Sequence, residues 1–164
     1  MKKNIFYQGY ISRSRYVYKI CEACERLEDY TFVMMGGGDQ NYIEEFKSRY
    51  SNIIHIGFVR PSEHLNITSY ARMAIVKYDF VVLNAIYCAP NKTWEYTCFG
   101  IPVLAYNIPG LEYTIGSYNA GVCCDMDNQQ EIKETIRKID SNYEQYHQNA
   151  ITFYNSFDVR ETIL

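Results

Sequence analysis

The chain has 164 residues, enough for one domain with a sizeable core. Its 48% apolar content is ordinary for a globular protein, while a net charge of −3 and a pI near 5.6 argue against a nucleic-acid binder, which needs a basic patch. No apolar run approaches the about eighteen residues of a membrane span, and "MKKNIFYQGYIS" lacks the apolar stretch of a signal peptide, so the expected setting is the cytoplasm.

In chain order, "NIFYQG" reads as a short apolar strand ending at Gly9. Residues 14–28 read as an amphipathic helix with Val17, Ile20, Cys21, Cys24 and Leu27 on its apolar face. "TFVMMGGG" is a second strand broken at Gly36–Gly38, residues 41–50 a second helix and "NIIHIGFV" a third strand. Residues 63–73 read as helical and "YDFVVLN" as a fourth strand. A helix from about Asn91 to Phe99 precedes the strand "PVLAY", a short helix near Leu111–Ser117 and the strand "GVCCD". Helices over 129–140 and from Glu144 to Tyr154 close the pattern.

Alternating strands and helices imply right-handed crossovers and a parallel sheet of about six strands with helices on both faces, a Rossmann-like doubly wound α/β fold. The near-continuous apolar strands fit a sheet covered on both faces. Ligands of such folds bind beyond the carboxyl ends of the strands, where the strand order reverses.

Six cysteines raise the question of metal or disulfides. Cys21 and Cys24 are spaced like half of a zinc site, but no second pair follows, and both fall on the apolar side of a helix. Cys123 and Cys124 lie in a strand, and Cys88 and Cys98 flank a helix. Reduced thiols are expected, and no metal. Asp39, Asp125 and Asp127 have no metal-binding spacing, and His55, His64 and His147 stand on separate elements without a nucleophile beside them.

The topology gathers other residues at the carboxyl edge. Gly9, Tyr10, Arg13 and Arg15 follow the first strand, Gly36–Asp39 the second, Phe58–Pro61 the third, and Tyr87 with the turn Pro90–Asn91–Lys92–Thr93 the fourth. Arg15 and Lys92 sit near two helix starts, where N–H groups and cations together suit an anion. Lys92 is otherwise misplaced, since a helix N-terminus carries partial positive charge. Each residue has a plainer reading. Arg15 as a solvated residue, Lys92 with Glu95 as a surface pair, Val59 as core and the three glycines as a tight turn all remain open at this point.

The chain resembles the C-terminal, donor-binding domain of a GT-B "group 1" glycosyltransferase. The likeness runs through "IFYQGYISRSR", "YTFVMMGGGDQNYIEEF", "NIIHIGFVRPSEHL" and "YDFVVLN", is most specific in "APNKTWEYTCFGIPVLAYNIPGLEYTI", and continues through "NAGVCCD" to "NAITFYNSFDVRETIL". The resemblance implies that Arg15 and the Pro90–Asn91–Lys92 turn meet the donor diphosphate. It implies that Glu95 accepts hydrogen bonds from the ribose hydroxyls, and that Val59 lies where backbone groups meet the base. It implies a nucleoside diphosphate sugar as substrate, no cofactor and no metal. It implies that the acceptor glycan or glycolipid and the catalytic residues belong to an N-terminal domain, expected to be absent from this chain. The full-length enzyme would then be peripheral to the membrane, without a span, and no nucleic acid would be a partner. Residues 1–164 would form a single nucleotide-sugar-binding domain, inactive alone.

The sequence departs from the family in two places. Many retaining members have two glutamates with seven residues between them, and the earlier position holds Tyr87. Tyr10 replaces the basic residue usual after the first glycine. Retention or inversion is therefore open. Other readings are a non-catalytic nucleotide-binding module, one subunit of a split enzyme, or a GT-B sugar-nucleotide epimerase relative. A flavodoxin-like regulatory domain would need an acidic cluster at the end of the first strand, which is absent.

Overall fold

Six short apolar runs form the six strands, β1 (Lys3–Gln8), β2 (Tyr30–Met35), β3 (Ile53–Gly57), β4 (Met73–Val76), β5 (Val103–Tyr106) and β6 (Gly121–Cys124). The computed structural model describes residues 2–15, 17–78, 83–88 and 90–157. All strand pairs are parallel, in the order β3-β2-β1-β4-β5-β6. Every residue of β4 and β5 is buried, which is why these strands read as unbroken apolar runs. β1 pairs with β2 on one side (Ile5 opposite Phe32) and β4 on the other (Ile5 opposite Met73). Chain order reverses between β1 and β4, so the crevice beyond these two strands is the topological switch point.

The helices are α1 (Val17–Glu25), α2 (Gln40–Arg49), α3 (His64–Thr68), α4 (Leu83–Tyr87), α5 (Asn91–Thr97), α6 (Pro109–Leu111), α7 (Gln129–Ser141) and α8 (Tyr143–Asn155). A 3-10 turn, Arg13–Arg15, precedes α1, and a π-helical turn, Glu112–Gly116, extends α6. α1 packs beside α7 on one face of the sheet, and α5 contacts α3 and α8 on the other. Cys21 and Cys24 are fully buried under α1, in the core positions that their spacing implied. Asp39 accepts from the Tyr42 N–H at 3.2 Å and so caps α2. Asn128 accepts from the Gln130 N–H at 3.0 Å and caps α7.

Two expected elements differ. The helix expected over residues 63–73 is only α3, and the chain re-enters the sheet at Met73. The fourth strand is "MAIV", not "YDFVVLN". Residues 79–82 of that stretch lie outside the described residues, and Leu83 and Asn84 begin α4. Short apolar runs are ambiguous by periodicity alone. Here the ladder from Ile5, Phe6 and Tyr7 to Met73, Ala74 and Ile75 decides which run enters the sheet.

At the other end of the sheet, Asp140 of α7 receives hydrogen bonds from Lys3, from the Tyr30 hydroxyl at 2.9 Å and from Arg72 at 3.0 Å. Burial disfavours the charged carboxylate, but these three donors outweigh it and hold Asp140 below the usual range. One carboxylate thus ties α7 to the starts of β1 and β2 and to the approach to β4.

Candidate functional site

The loops leaving β1 and β2 are joined backbone to backbone. Gly9 N–H donates to Met35 at 2.9 Å, Ile11 N–H to Gly37 at 3.0 Å, and Asp39 N–H to Ile11 at 3.0 Å. Gly36, with φ +147°, lies so close that a Cβ there would overlap the Gly9 carbonyl oxygen. This glycine therefore serves backbone approach, which weakens the view of the triple glycine as a ligand loop alone. Gly36 and Gly37 nevertheless border the crevice.

At Gly9 the close neighbour is Lys92, whose Nζ would be 2.6 Å from a Cβ at that position. Lys92 is the second residue of α5, and its side chain runs back across the end of β1, with Nζ 5.7 Å from the centroid of the Tyr7 ring. Among the described residues it forms no ion pair. Burial first, and the charge of Arg15 second, push the Lys92 ammonium below its ordinary pKa, against a weaker opposing pull from Glu95. Arg15 is exposed, with its guanidinium 5.8 Å from the Tyr78 ring centroid, and it too has no carboxylate partner among the described residues. Two cations thus repel each other across the switch point. Pro90, the residue before α5, offers no side-chain cap, and the first N–H groups of any helix, here Asn91 and Lys92, have no carbonyl one turn earlier.

Glu95 is not the surface partner of Lys92. Its Oε2 accepts from Gln8 Nε2 at 2.8 Å and lies 3.6 Å from His64 Nε2. Gln8 is the last residue of β1, and its Oε1 lies 3.0 Å from the hydroxyl of the fully buried Thr68 in α3. Glu95 is therefore held from β1 and α3 while standing on α5.

These groups line two adjoining clefts that share Gln8. One, of about 430 Å³, is bordered by Gln8, Tyr78, Pro90, Asn91, Lys92 and Glu95. The other, of about 530 Å³, is more apolar, and its walls include Tyr10, Met35, Phe58, Val59 and His64. Arg15, Pro90, Asn91, Lys92 and Glu95 gather around the polar cleft or its rim, and the half-buried Val59 lines the apolar one. A third cleft of about 430 Å³ lies away from the switch point, between α1 and α2. Its Arg13 and Arg49 are already paired with Glu45 and Glu22, so it lacks the unmatched charge of the switch point.

Sequence reasoning gave no role to Gln8, Thr68, His64 or Tyr78. A strand-end amide and a helix hydroxyl carry no local signal. Only the sheet order places them beside α5.

By class, this is a Rossmann-like doubly wound domain with a crevice at its switch point, beside which the cations Arg15 and Lys92 stand. It belongs to the family described as Glycosyl transferases group 1, which matches residues 1–152. No curated protein matches the chain. Among solved structures it is similar to WaaG, a glycosyltransferase involved in lipopolysaccharide biosynthesis, with a TM-score of 0.76 and 16% identity over 96% of this chain and 44% of WaaG. It is similar to HepE of Anabaena, solved in complex with UDP and glucose, with a TM-score of 0.75 and 13% identity over 94% of this chain and 43% of that one. The C-terminal domain of LpcC, a group 1 family protein from Francisella tularensis, is similar with a TM-score of 0.70 and 16% identity over 93% of this chain and 83% of that domain. The chain thus spans under half the length of WaaG and HepE. Among the described residues no helix is long and apolar enough to cross a membrane.

Proposed function

We propose that this chain is the donor-binding domain of a glycosyltransferase that moves a sugar from a nucleoside diphosphate sugar to an acceptor hydroxyl, in the synthesis of a cell-surface polysaccharide or glycolipid. The observation that carries the reading is the pair Arg15 and Lys92: Lys92 borders the polar cleft, Arg15 stands by Tyr78 at its rim, and among the described residues neither forms an ion pair. A diphosphate there relieves their mutual repulsion and meets the first N–H groups of α5, at Asn91 and Lys92. Glu95, one turn along α5, takes the ribose hydroxyls. The base lies toward Val59 in the apolar cleft.

These groups would assist chemistry as well as binding. Negative charge grows on the diphosphate as the glycosidic bond breaks, so fixed cations favour the transition state over the bound substrate. No metal is required in this scheme, because two side-chain cations supply the charge. The acceptor and the remaining catalytic groups would come from a second domain, as the length of WaaG and HepE suggests. UDP in the HepE complex makes uridine nucleotides the first donors to try. The polysaccharide or glycolipid assignment draws support from the role of WaaG. A cytoplasmic setting is part of the proposal and fits six free cysteines.

The test is a thermal-shift panel of UDP-, GDP-, ADP- and TDP-sugars. A ligand that binds only the folded chain, at a hundred times its Kd, should add about 2.7 kcal/mol, or roughly 5–11 °C at this size. A panel without any shift sinks the reading.

A further inference from the structure

The hydrogen bonds around Gln8 compete for the orientation of its amide. The Thr68 hydroxyl has one proton and two acceptors in reach, the His64 carbonyl at 2.9 Å and Gln8 Oε1 at 3.0 Å. Turning the Gln8 amide over would suit Thr68 better. Nε2 would then donate to the hydroxyl, and the hydroxyl to the His64 carbonyl. The turned amide, however, would set Oε1 against Glu95 Oε2, acceptor against acceptor. The observed orientation puts the amide N–H on the carboxylate at 2.8 Å, and a charge-assisted bond outweighs a shared neutral one.

The consequence concerns which carboxylate oxygen remains. Gln8 and His64 both face Oε2, and among the described residues no donor meets Oε1. The Glu95 side chain, 28% exposed, would otherwise swing freely at the mouth of the cleft. We propose that Gln8 is a positioning residue, which pins Glu95 through Oε2 so that Oε1 is presented to a ribose and thereby sets the preference of this chain for ribonucleotides. This rests on the donor-site reading above, but adds a residue that acts through Glu95. The device spans three elements. Thr68 in α3 steadies the amide at the end of β1, and the amide steadies the carboxylate on α5.

The experiment compares the unaltered chain with Gln8→Leu by calorimetry. The probes are UDP, GDP and ADP, the 2′,3′-dideoxy form of each, and inorganic pyrophosphate. In Gln8→Leu the ratio of ribo to dideoxy affinity should fall roughly tenfold, since an unpinned carboxylate loses most of a charge-assisted bond. Pyrophosphate affinity should not change, because Arg15 and Lys92 are untouched. A purely structural role for Gln8 would weaken every probe alike, and that result overturns the proposal. So does an unchanged ratio. Should Gln8→Leu fail to fold, Thr68→Val removes the amide's rear anchor at nearly constant volume. It should lower the same ratio by a smaller factor, and an unchanged ratio there overturns the proposal too. If no nucleotide binds the unaltered chain, the donor-site reading falls and this inference with it. Ribose discrimination kept by both variants sinks this inference alone.

Discussion

Replacing Lys92 separates a binding cation from a structural one. Lys92→Met keeps the aliphatic stem against Tyr7 and removes the charge. The change loses a cation–ring contact at 5.7 Å, of about 0.5–1 kcal/mol. It also removes a cation from the start of α5, of about 0.3–1 kcal/mol in the opposite sense. Those effects nearly cancel. Relief of a partly buried ammonium and of the repulsion from Arg15 remains, and both act in the same direction. Unliganded stability should therefore rise by about 0.5 kcal/mol, or roughly 1–2 °C. The assay is denaturation followed through Trp94, the single tryptophan, whose ring packs 5.7 Å from Phe153. Calorimetry with UDP should show binding weakened roughly ten- to a hundredfold, since a charge-assisted hydrogen bond contributes about 1.5–3 kcal/mol. The pH dependence supplies a second reading. The folded, unliganded Lys92 has a lowered pKa, so in the unaltered chain affinity should fade as pH rises through a value below the ordinary lysine range. An anion raises that pKa again, so binding at alkaline pH should take up protons. Lys92→Met should abolish both effects. A variant that loses more than about 1 kcal/mol of stability, and binds UDP as before, would refute the reasoning and make Lys92 a structural residue.

Glu95→Ala should weaken UDP but hardly alter its 2′,3′-dideoxy form in calorimetry; equal loss for both removes the ribose role. Arg15→Ala should weaken nucleoside diphosphates roughly ten- to a hundredfold while sparing nucleosides, and unchanged diphosphate affinity reassigns Arg15 to the solvated surface. Asp140→Asn should cost about 1–3 kcal/mol at neutral pH, because the buried Tyr30 hydroxyl and the half-buried Arg72 lose a charged acceptor. Asp140 has a depressed folded pKa, so its contribution is present above the unfolded value and is lost as pH falls through the folded one. Urea curves in this acid range should therefore be shallower in pH for Asp140→Asn than for the unaltered chain. An equal slope rejects the assignment.

Much of the edge was readable from the chain. Gly9 and the Gly36–Gly38 run marked strand ends, because tight exits need residues without a Cβ. Lys92 stood out because its charge opposes the helix it begins. The apolar face of residues 14–28 located α1 and put Cys21 and Cys24 in the core. The region from 63 to 87 read poorly. Two apolar runs competed for one place in the sheet, and neither has a period long enough to choose.

By itself the sequence determined the alternation of strands and helices, the edge at which glycines and cations collect, and the family to which the chain belongs. These follow from properties carried along the chain, such as periodicity, charge and turn chemistry. Tertiary structure alone decided that β4 is Met73–Val76, that Lys92 reaches Gly9 rather than Glu95, and that Gln8 and Thr68 hold that carboxylate. Gln8 and Glu95 are 87 positions apart in the chain. Their contact exists because β1 lies at the switch point with α5 packed above it, and a sheet order of that kind is fixed by long-range pairing and burial, which no local pattern encodes.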